Sequence, residues 1–193
     1  MRTTPSIAIL ILAAGRSSRL GTPKQLLGYQ GQSLLRRTAR AAASVADSET
    51  TVLLGFEADL MKKEIEDLPV RMLLNPAWEE GIASSMRAGI LSLPPSVDAA
   101  LLLVSDQPHV TTELLEKIIA SRTSTGKPIV ACEYGGTVGV PALFSRTFFD
   151  RLLQLRGDSG ARGILQQNSD AVFRLPFPEG NIDIDTITDY QNL

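Results

Sequence analysis

Cysteine and histidine are almost missing from this chain. Cys132 and His109 are the single representatives of each among 193 residues. One cysteine excludes a disulfide framework and a cysteine-based metal cluster, and one histidine cannot build a His-rich zinc site. A bound metal is therefore expected to be a hard cation held by carboxylates, with Mg²⁺ the natural candidate. Excess positive charge is absent too: 19 Lys+Arg against 21 Asp+Glu leave a net charge of −2. That argues against nucleic acid as a partner, because general nucleic-acid binders need a cationic surplus. Lysine is scarce within the cations, 5 against 14 arginines, so the place of each lysine carries information. The apolar run Ile7–Ala14 is far short of the about 20 residues that a spanning helix needs and too short for a signal peptide. No membrane partner is expected, and the cytoplasm is the expected compartment.

What is present suits one folded domain over residues 1–193, with 44% hydrophobic and 21% charged residues. Ser6–Leu12 is continuously apolar and β-branched, the pattern of a strand buried on both faces of a parallel sheet. A loop rich in Gly, Ser and Arg follows from Ala13 to Lys24. Further strands are predicted over 50–54, 70–74 and 99–104, and helices from Ser33, over 58–68, from Ile82 to Pro94, and from Thr111 or Thr112 to about Ser121. Strands and helices alternate through the first 130 residues, which implies right-handed βαβ units and a mostly parallel sheet. After Gly126 the rhythm changes. Strands over 128–133 and 138–144, joined by Gly135-Gly136, read as a pair inserted beside the sheet. Helices over 146–155 and 159–167 and a late strand over 171–175 complete the pattern.

In open α/β sheets ligands bind beyond the carboxyl ends of the strands. Four polar segments are expected to meet there. The first is Leu12-Ala13-Ala14-Gly15-Arg16-Ser17-Ser18-Arg19-Leu20-Gly21-Thr22-Pro23-Lys24, whose backbone N–H groups and cations suit a triphosphate. It is neither a Walker loop nor G-x-G-x-x-G. The second is Asp106, placed after the most apolar strand; a turn or cap role competes with metal binding there. The third is Asp183 with Asp185, which face the same way in an extended segment, with an N-cap role competing for Asp185. Two carboxylates converging from distant segments would make a magnesium site. The fourth is Asn75-Pro76-x-Trp78-x-x-Gly81-x-x-Ser84-Ser85, where Asn75, Ser84 and Ser85 either contact a nucleotide or brace a helix start. A glycine-rich stretch, Gly157–Gly163, adds Asp158 and Arg162 as candidates for an anionic substrate. His109 reads as a loop residue and Cys132 as a small core residue.

The order of these motifs resembles the nucleotidyltransferases that attach a nucleotide to molybdopterin. The molybdenum cofactor cytidylyltransferase branch is the most similar, with molybdopterin-guanine dinucleotide synthases as relatives. The resemblance rests on Leu12–Gly21 with Lys24, Asn75-Pro76-x-Trp78-x-x-Gly81 with Ser84-Ser85, Asp106-Gln107-Pro108, Gly139–Phe144, Gly157–Arg162 and Asp183-Ile184-Asp185-Thr186. Two positions depart from it. Val140 stands where cytidylyltransferases often carry histidine, and Thr186-Ile187-Thr188-Asp189 replaces the usual Pro-Glu-Asp continuation.

The resemblance implies a Rossmann-like three-layer sandwich of the nucleotide-diphospho-sugar transferase type. It also implies a nucleoside triphosphate, Mg²⁺ and a molybdopterin-type acceptor whose phosphate displaces pyrophosphate. Arg19, Lys24 and Asp106 would be catalytic. Leu12 to Arg19, Lys24, Asn75, Ser84 and Ser85 would contact nucleotide. Asp106, Asp185 and the neighbouring Asp183 would hold the metal, and Asp158 and Arg162 the acceptor. Ala14, where guanine-using relatives tend to have glycine, favours CTP over GTP, and a molybdoenzyme would receive the product. The alternatives are transfer to a sugar phosphate or other small phosphate, and a non-catalytic cofactor-binding adaptor. The retained Lys24, Asp106 and Asp185 speak against an adaptor, since pure binding does not require a metal-assisted leaving group.

Overall fold

A computed structural model describes residues 5–16, 22–182 and 190 of the chain. In chain order the elements are β1 (Ile7–Leu12), the short strands β2 (Gly28–Tyr29) and β3 (Gln32–Ser33), α1 (Leu34–Ala43), β4 (Ser48–Leu54), α2 (Ala58–Ile65), β5 (Arg71–Leu74), α3 (Ile82–Leu91), β6 (Ala99–Val104), α4 (Thr112–Thr125), β7 (Ile129–Tyr134), β8 (Thr137–Ser145), α5 (Phe149–Leu153), α6 (Arg162–Gln167) and β9 (Val172–Pro176). Short 3₁₀ turns occupy Lys24–Leu26, Trp78–Glu80, Arg146–Phe148, Ser169–Ala171 and Pro178–Asn181.

The main sheet runs β5-β4-β1-β6-β8-β7-β9. All its strands are parallel except β8, which is antiparallel to both β6 and β7. β1 is buried along its whole length. Its alternate residues serve two cores. Ile7, Ile9 and Ile11 pack with Leu35, Ala39, Leu115 and Ile118 of α1 and α4, while Ala8, Leu10 and Leu12 pack with Met86, Ile90, Leu152 and Ile164 of α3, α5 and α6. The result is the expected α/β three-layer sandwich, and the period-2 alternation explains why one apolar run can feed both faces. Cys132 is fully buried, and that burial pushes its thiol up to about 12, as a small core residue requires.

The helix starts follow local chemistry. Ser33 accepts from Arg36 N at 3.1 Å to cap α1, and Thr111 accepts from Leu114 N at 3.3 Å to cap α4. The backbone N–H of Glu113, together with the Thr111 hydroxyl, holds the Glu113 carboxyl below its usual range.

Three expectations need correction. The late strand pair does not sit beside the sheet. Gly135 and Gly136, both at positive φ, reverse the chain so that β8 enters the sheet between β6 and β7. Its Ala142, Leu143 and Phe144 are fully buried, so an interior place is the one that removes them from water. The helix expected over 146–155 is a 3₁₀ turn followed by the shorter α5, and the helix expected from Ser159 begins only at Arg162. The β2–β3 hairpin had no apolar signal. It is a two-residue turn with Gln30 and Gly31 both left-handed, which matches strand twist.

Arg36 ties α1 to the end of α2. Its guanidinium donates to Glu64 O at 2.6 Å and to both Asp67 carboxylate oxygens at 2.7 and 2.6 Å. This hydrogen bonding holds the Asp67 carboxyl down to about 2. A depressed carboxyl contributes stability above its ordinary pKa and loses it as pH falls through the folded value. Asp67→Asn should therefore flatten the acid limb of folding stability between pH 3.8 and about 2. Urea titrations across that window check it; an unaltered acid limb would mean that the pair contributes nothing to folding.

Candidate active site

On either side of β1 the strand order departs in opposite directions, toward β4 and toward β6. Loops leaving the carboxyl ends of β1 and β6 therefore diverge and open a crevice. The sheet's hydrogen bonding continues past the strand ends and stiffens this edge. Ala13 N donates to Leu53 O at 3.0 Å, Phe56 N to Ala14 O at 3.1 Å and Asn75 N to Leu54 O at 2.8 Å.

Lys24 begins the 3₁₀ turn that ends the first loop, and Asp106 follows β6 from the other side of the crevice. Their side chains form an ion pair through Asp106 Oδ2, with 21% and 15% of the two side chains exposed. The other carboxylate oxygen, Asp106 Oδ1, is buried and has no hydrogen-bond donor among the described residues. A buried anionic oxygen with no donor is costly unless a cation or donor meets it. Asp106 thus fits a hard divalent cation by donor type and by its unused oxygen. Among the described residues no group of three or more His, Cys, Asp or Glu side chains gathers into a metal-holding set. Asp183 and Asp185 lie outside the described residues.

Of the first loop, Leu12, Ala13 and Ala14 are buried, while Gly15 and Arg16 are exposed at the crevice edge. Ser17, Ser18 and Arg19 lie outside the described residues. Gln25, only 2% exposed, donates its amide to Ala13 O at 3.2 Å and Gly15 O at 2.7 Å. It fixes the carbonyls of the loop inward. Sequence reasoning missed it, although a glutamine beside the lone lysine of the first loop was the available signal. Arg16 lies over the Phe56 ring at 5.4 Å, and Phe56 meets Trp78 edge-on at 5.5 Å. The Ala14 methyl is part of this packing: a Cβ placed on Gly55 would fall 2.8 Å from it and 2.6 Å from Trp78 Cβ.

Asn75, Ser84 and Ser85 come together as an internal brace. Each is 3% exposed. The Asn75 amide nitrogen donates to Ser84 Oγ at 2.8 Å and Ser85 Oγ at 3.0 Å, and its oxygen accepts from Ala77 N at 3.1 Å. Ser84 also donates to Gly81 O at 2.8 Å. Their described hydrogen bonds thus shape the start of α3. Asp158 and Arg162 are exposed, and the loop carrying Asp158 docks on that same helix start, with Ala83 N donating to Gly157 O at 3.1 Å. His109 packs edge-on against Tyr29 with ring centres 5.9 Å apart, as a loop residue.

The family model for the MobA-like NTP transferase domain matches residues 9–172, which contain Lys24, Asp106 and the loops between them. The chain belongs to the MobA-like NTP transferase family. This MobA-like transferase is 28% identical to a probable molybdenum cofactor guanylyltransferase of a Nostoc species, over 90% of this chain and 84% of that one. It is 30% identical to a nicotine blue oxidoreductase of Paenarthrobacter nicotinovorans over 61% of this chain, and the match spans 57% of that protein's length. Among solved structures it resembles Rv0371c from Mycobacterium tuberculosis H37Rv, at 31% identity and TM-score 0.84, with 98% of both chains covered. A manganese complex of Rv0371c matches at 28% identity and TM-score 0.80, again over 98% of each chain. No described helix of the MobA-like chain is long and apolar enough to cross a membrane.

The brace and the loop at 157–160 meet at Gly81, which has φ +98°. A Cβ there would fall 2.4 Å from Asp158 Oδ1 and 2.5 Å from the Gly157 carbonyl carbon. Gly81→Ala should therefore cost about 1–3 kcal/mol of stability through strain and overpacking. It should also speed proteolysis of the loop at 157–160. Thermal unfolding and limited digestion check this; a wild-type melting temperature with an unaltered digestion pattern would show that the contact gives way freely.

Proposed function

We propose that this nucleotidyltransferase transfers CMP from CTP to the phosphate of a molybdopterin-type cofactor, with Mg²⁺, and releases pyrophosphate. The observation that carries the reading is the Lys24–Asp106 pair at the sheet's crevice, with one Asp106 oxygen that meets no donor among the described residues. An acceptor phosphate oxygen forms a bond to the α-phosphorus, and the bond to the bridging oxygen of the β-phosphate breaks. Such a reaction asks the protein mainly to position groups and to neutralise charge. Lys24 and Arg19 would meet the negative charge that builds on the phosphates as that bond breaks. Gly15, Arg16, Ser17 and Ser18 would hold the triphosphate, with Leu12, Ala13 and Ala14 beside the base. Asp106 and Asp185, with Asp183 adjacent, would hold the magnesium. The bound cation would supply charge neutralisation and fix the triphosphate's shape.

The Asn75–Ser84–Ser85 brace would serve the nucleotide by setting the start of α3, and Asp158 and Arg162 would face the acceptor. The relative named as a molybdenum cofactor guanylyltransferase supports the acceptor class, and the manganese complex of Rv0371c supports a divalent cation. The product would pass to a molybdoenzyme, and the cytoplasm is the compartment that suits a triphosphate donor.

Base choice is assigned to the Ala14 region. The Ala14 methyl fills space against Gly55 and Trp78 that glycine would leave open. Steric terms of this kind discriminate by about 1–3 kcal/mol, or roughly 10–200-fold. CTP and GTP offered at equal concentration, each with molybdopterin or a sugar 1-phosphate, test the proposal through pyrophosphate release. CTP with molybdopterin should be fastest, and Ala14→Gly should narrow the CTP preference without reversing it. Preference for GTP would move the chain to the guanylyl branch, and turnover with the sugar phosphate alone would overturn the acceptor.

A further inference from the structure

The residue after Asp106 turns away from the crevice. Gln107 is 4% exposed and enters a seam between β7, β8 and the 3₁₀ turn Pro178–Asn181. Its amide nitrogen donates to Gly180 O at 3.1 Å and lies 3.4 Å from the Tyr134 hydroxyl, which itself donates to Val140 O at 2.8 Å. Tyr134 and Phe177 meet edge-on at 6.4 Å and close the seam. The seam is built around a bare backbone. A Cβ on Gly180 would fall 2.5 Å from both the Phe177 and the Tyr134 rings, so glycine at this position keeps the carbonyl within reach of Gln107. Phe177 N donates to Glu133 O at 2.9 Å and Gly180 N to Phe177 O at 2.9 Å, which ties the 3₁₀ turn to the end of β7.

We infer that Gln107 is a positioning residue for the divalent-cation site, because it fixes the Gly180 backbone against the loop that carries Asp106. The inference rests on the reading of Asp106 as a metal ligand. Neighbouring residues of one loop do two jobs: the Asp106 carboxylate faces the crevice, and the Gln107 amide holds the Gly180 carbonyl. A carboxylate held by a rigid neighbour loses less freedom when it binds a cation than one on a free loop. The Gln107 Oε1 is buried with no donor among the described residues, so the amide's only described work is done by its nitrogen.

The test uses the full chain and Mn²⁺ alone, followed by electron paramagnetic resonance, with pyrophosphate release as a second readout. Gln107→Met keeps the length and removes the donor. Its Mn²⁺ affinity should fall about tenfold or more, in the range found for outer-shell partners of metal ligands. Its kcat should recover when Mn²⁺ is raised to saturation. Gln107→Asn keeps an amide too short to reach Gly180 O and should behave the same way, which covers the case in which the methionine variant does not fold. Wild-type Mn²⁺ affinity in the folded variants would overturn the inference, as would a kcat deficit that Mn²⁺ does not restore. Asp106→Asn separates the two readings. If it alone weakens Mn²⁺ binding, the role given to Gln107 falls; if it binds Mn²⁺ as wild type does, the metal site at Asp106 falls with it.

Discussion

The Lys24–Asp106 ion pair joins two loops that the sheet topology would otherwise send apart. Because the order departs in both directions from β1, no backbone hydrogen bond among the described residues links the loop after β1 to the loop after β6. A half-buried pair of opposite charges supplies that link, and the same two groups are the ones a triphosphate and a divalent cation would need. The pair is not worth much as a stabiliser, since desolvation offsets a large part of the Coulomb attraction. Its consequence is geometric: it joins the two sides of the crevice and leaves one carboxylate oxygen with no donor among the described residues.

Each partner of the pair is followed by a buried glutamine. Gln25 ties the Lys24 turn to Ala13 O and Gly15 O, and Gln107 ties the Asp106 loop to Gly180 O. The charged groups can therefore face the crevice while their neighbours are committed to the interior. A neutral amide suits that work, because it can be buried once its hydrogen bonds are made, whereas a second carboxylate or ammonium there would need its own partner. On the other flank, the Asn75 brace and the Gly81–Asp158 contact join the start of α3 to the loop before α6. The site's edges are thus fixed by hydrogen bonds from buried amide and hydroxyl side chains.

Much of the fold was legible because β1 and β6 are apolar runs too short to be anything but buried strands, and because Ser33 and Thr111 carry the oxygen that a helix start needs. The place of β8 was not legible. Its residues are apolar on both faces, and periodicity cannot distinguish an edge from an interior strand when both faces are covered. The α5 and α6 boundaries differ because Arg146–Phe148 closes as a 3₁₀ turn ahead of α5, and the loop at Gly157 docks on Ala83 before α6 begins at Arg162. In the site, Lys24 and Asp106 stood out by scarcity and position. Gln25 and Gln107 did not, since a buried amide has no signature until its acceptors, which lie 10 to 73 residues away, are brought to it.

The central claim is that Asp106 spends one oxygen on Lys24 and keeps the other for a divalent cation that helps hold the triphosphate. Isothermal titration of CTP into wild type and Asp106→Asn, each with and without Mg²⁺, tests it most directly. Mg²⁺ should tighten CTP binding to the wild type, whereas the variant should still bind CTP, gain little from Mg²⁺ and lose most turnover. A variant that gains from Mg²⁺ as the wild type does, and turns over at a near wild-type rate, would contradict it.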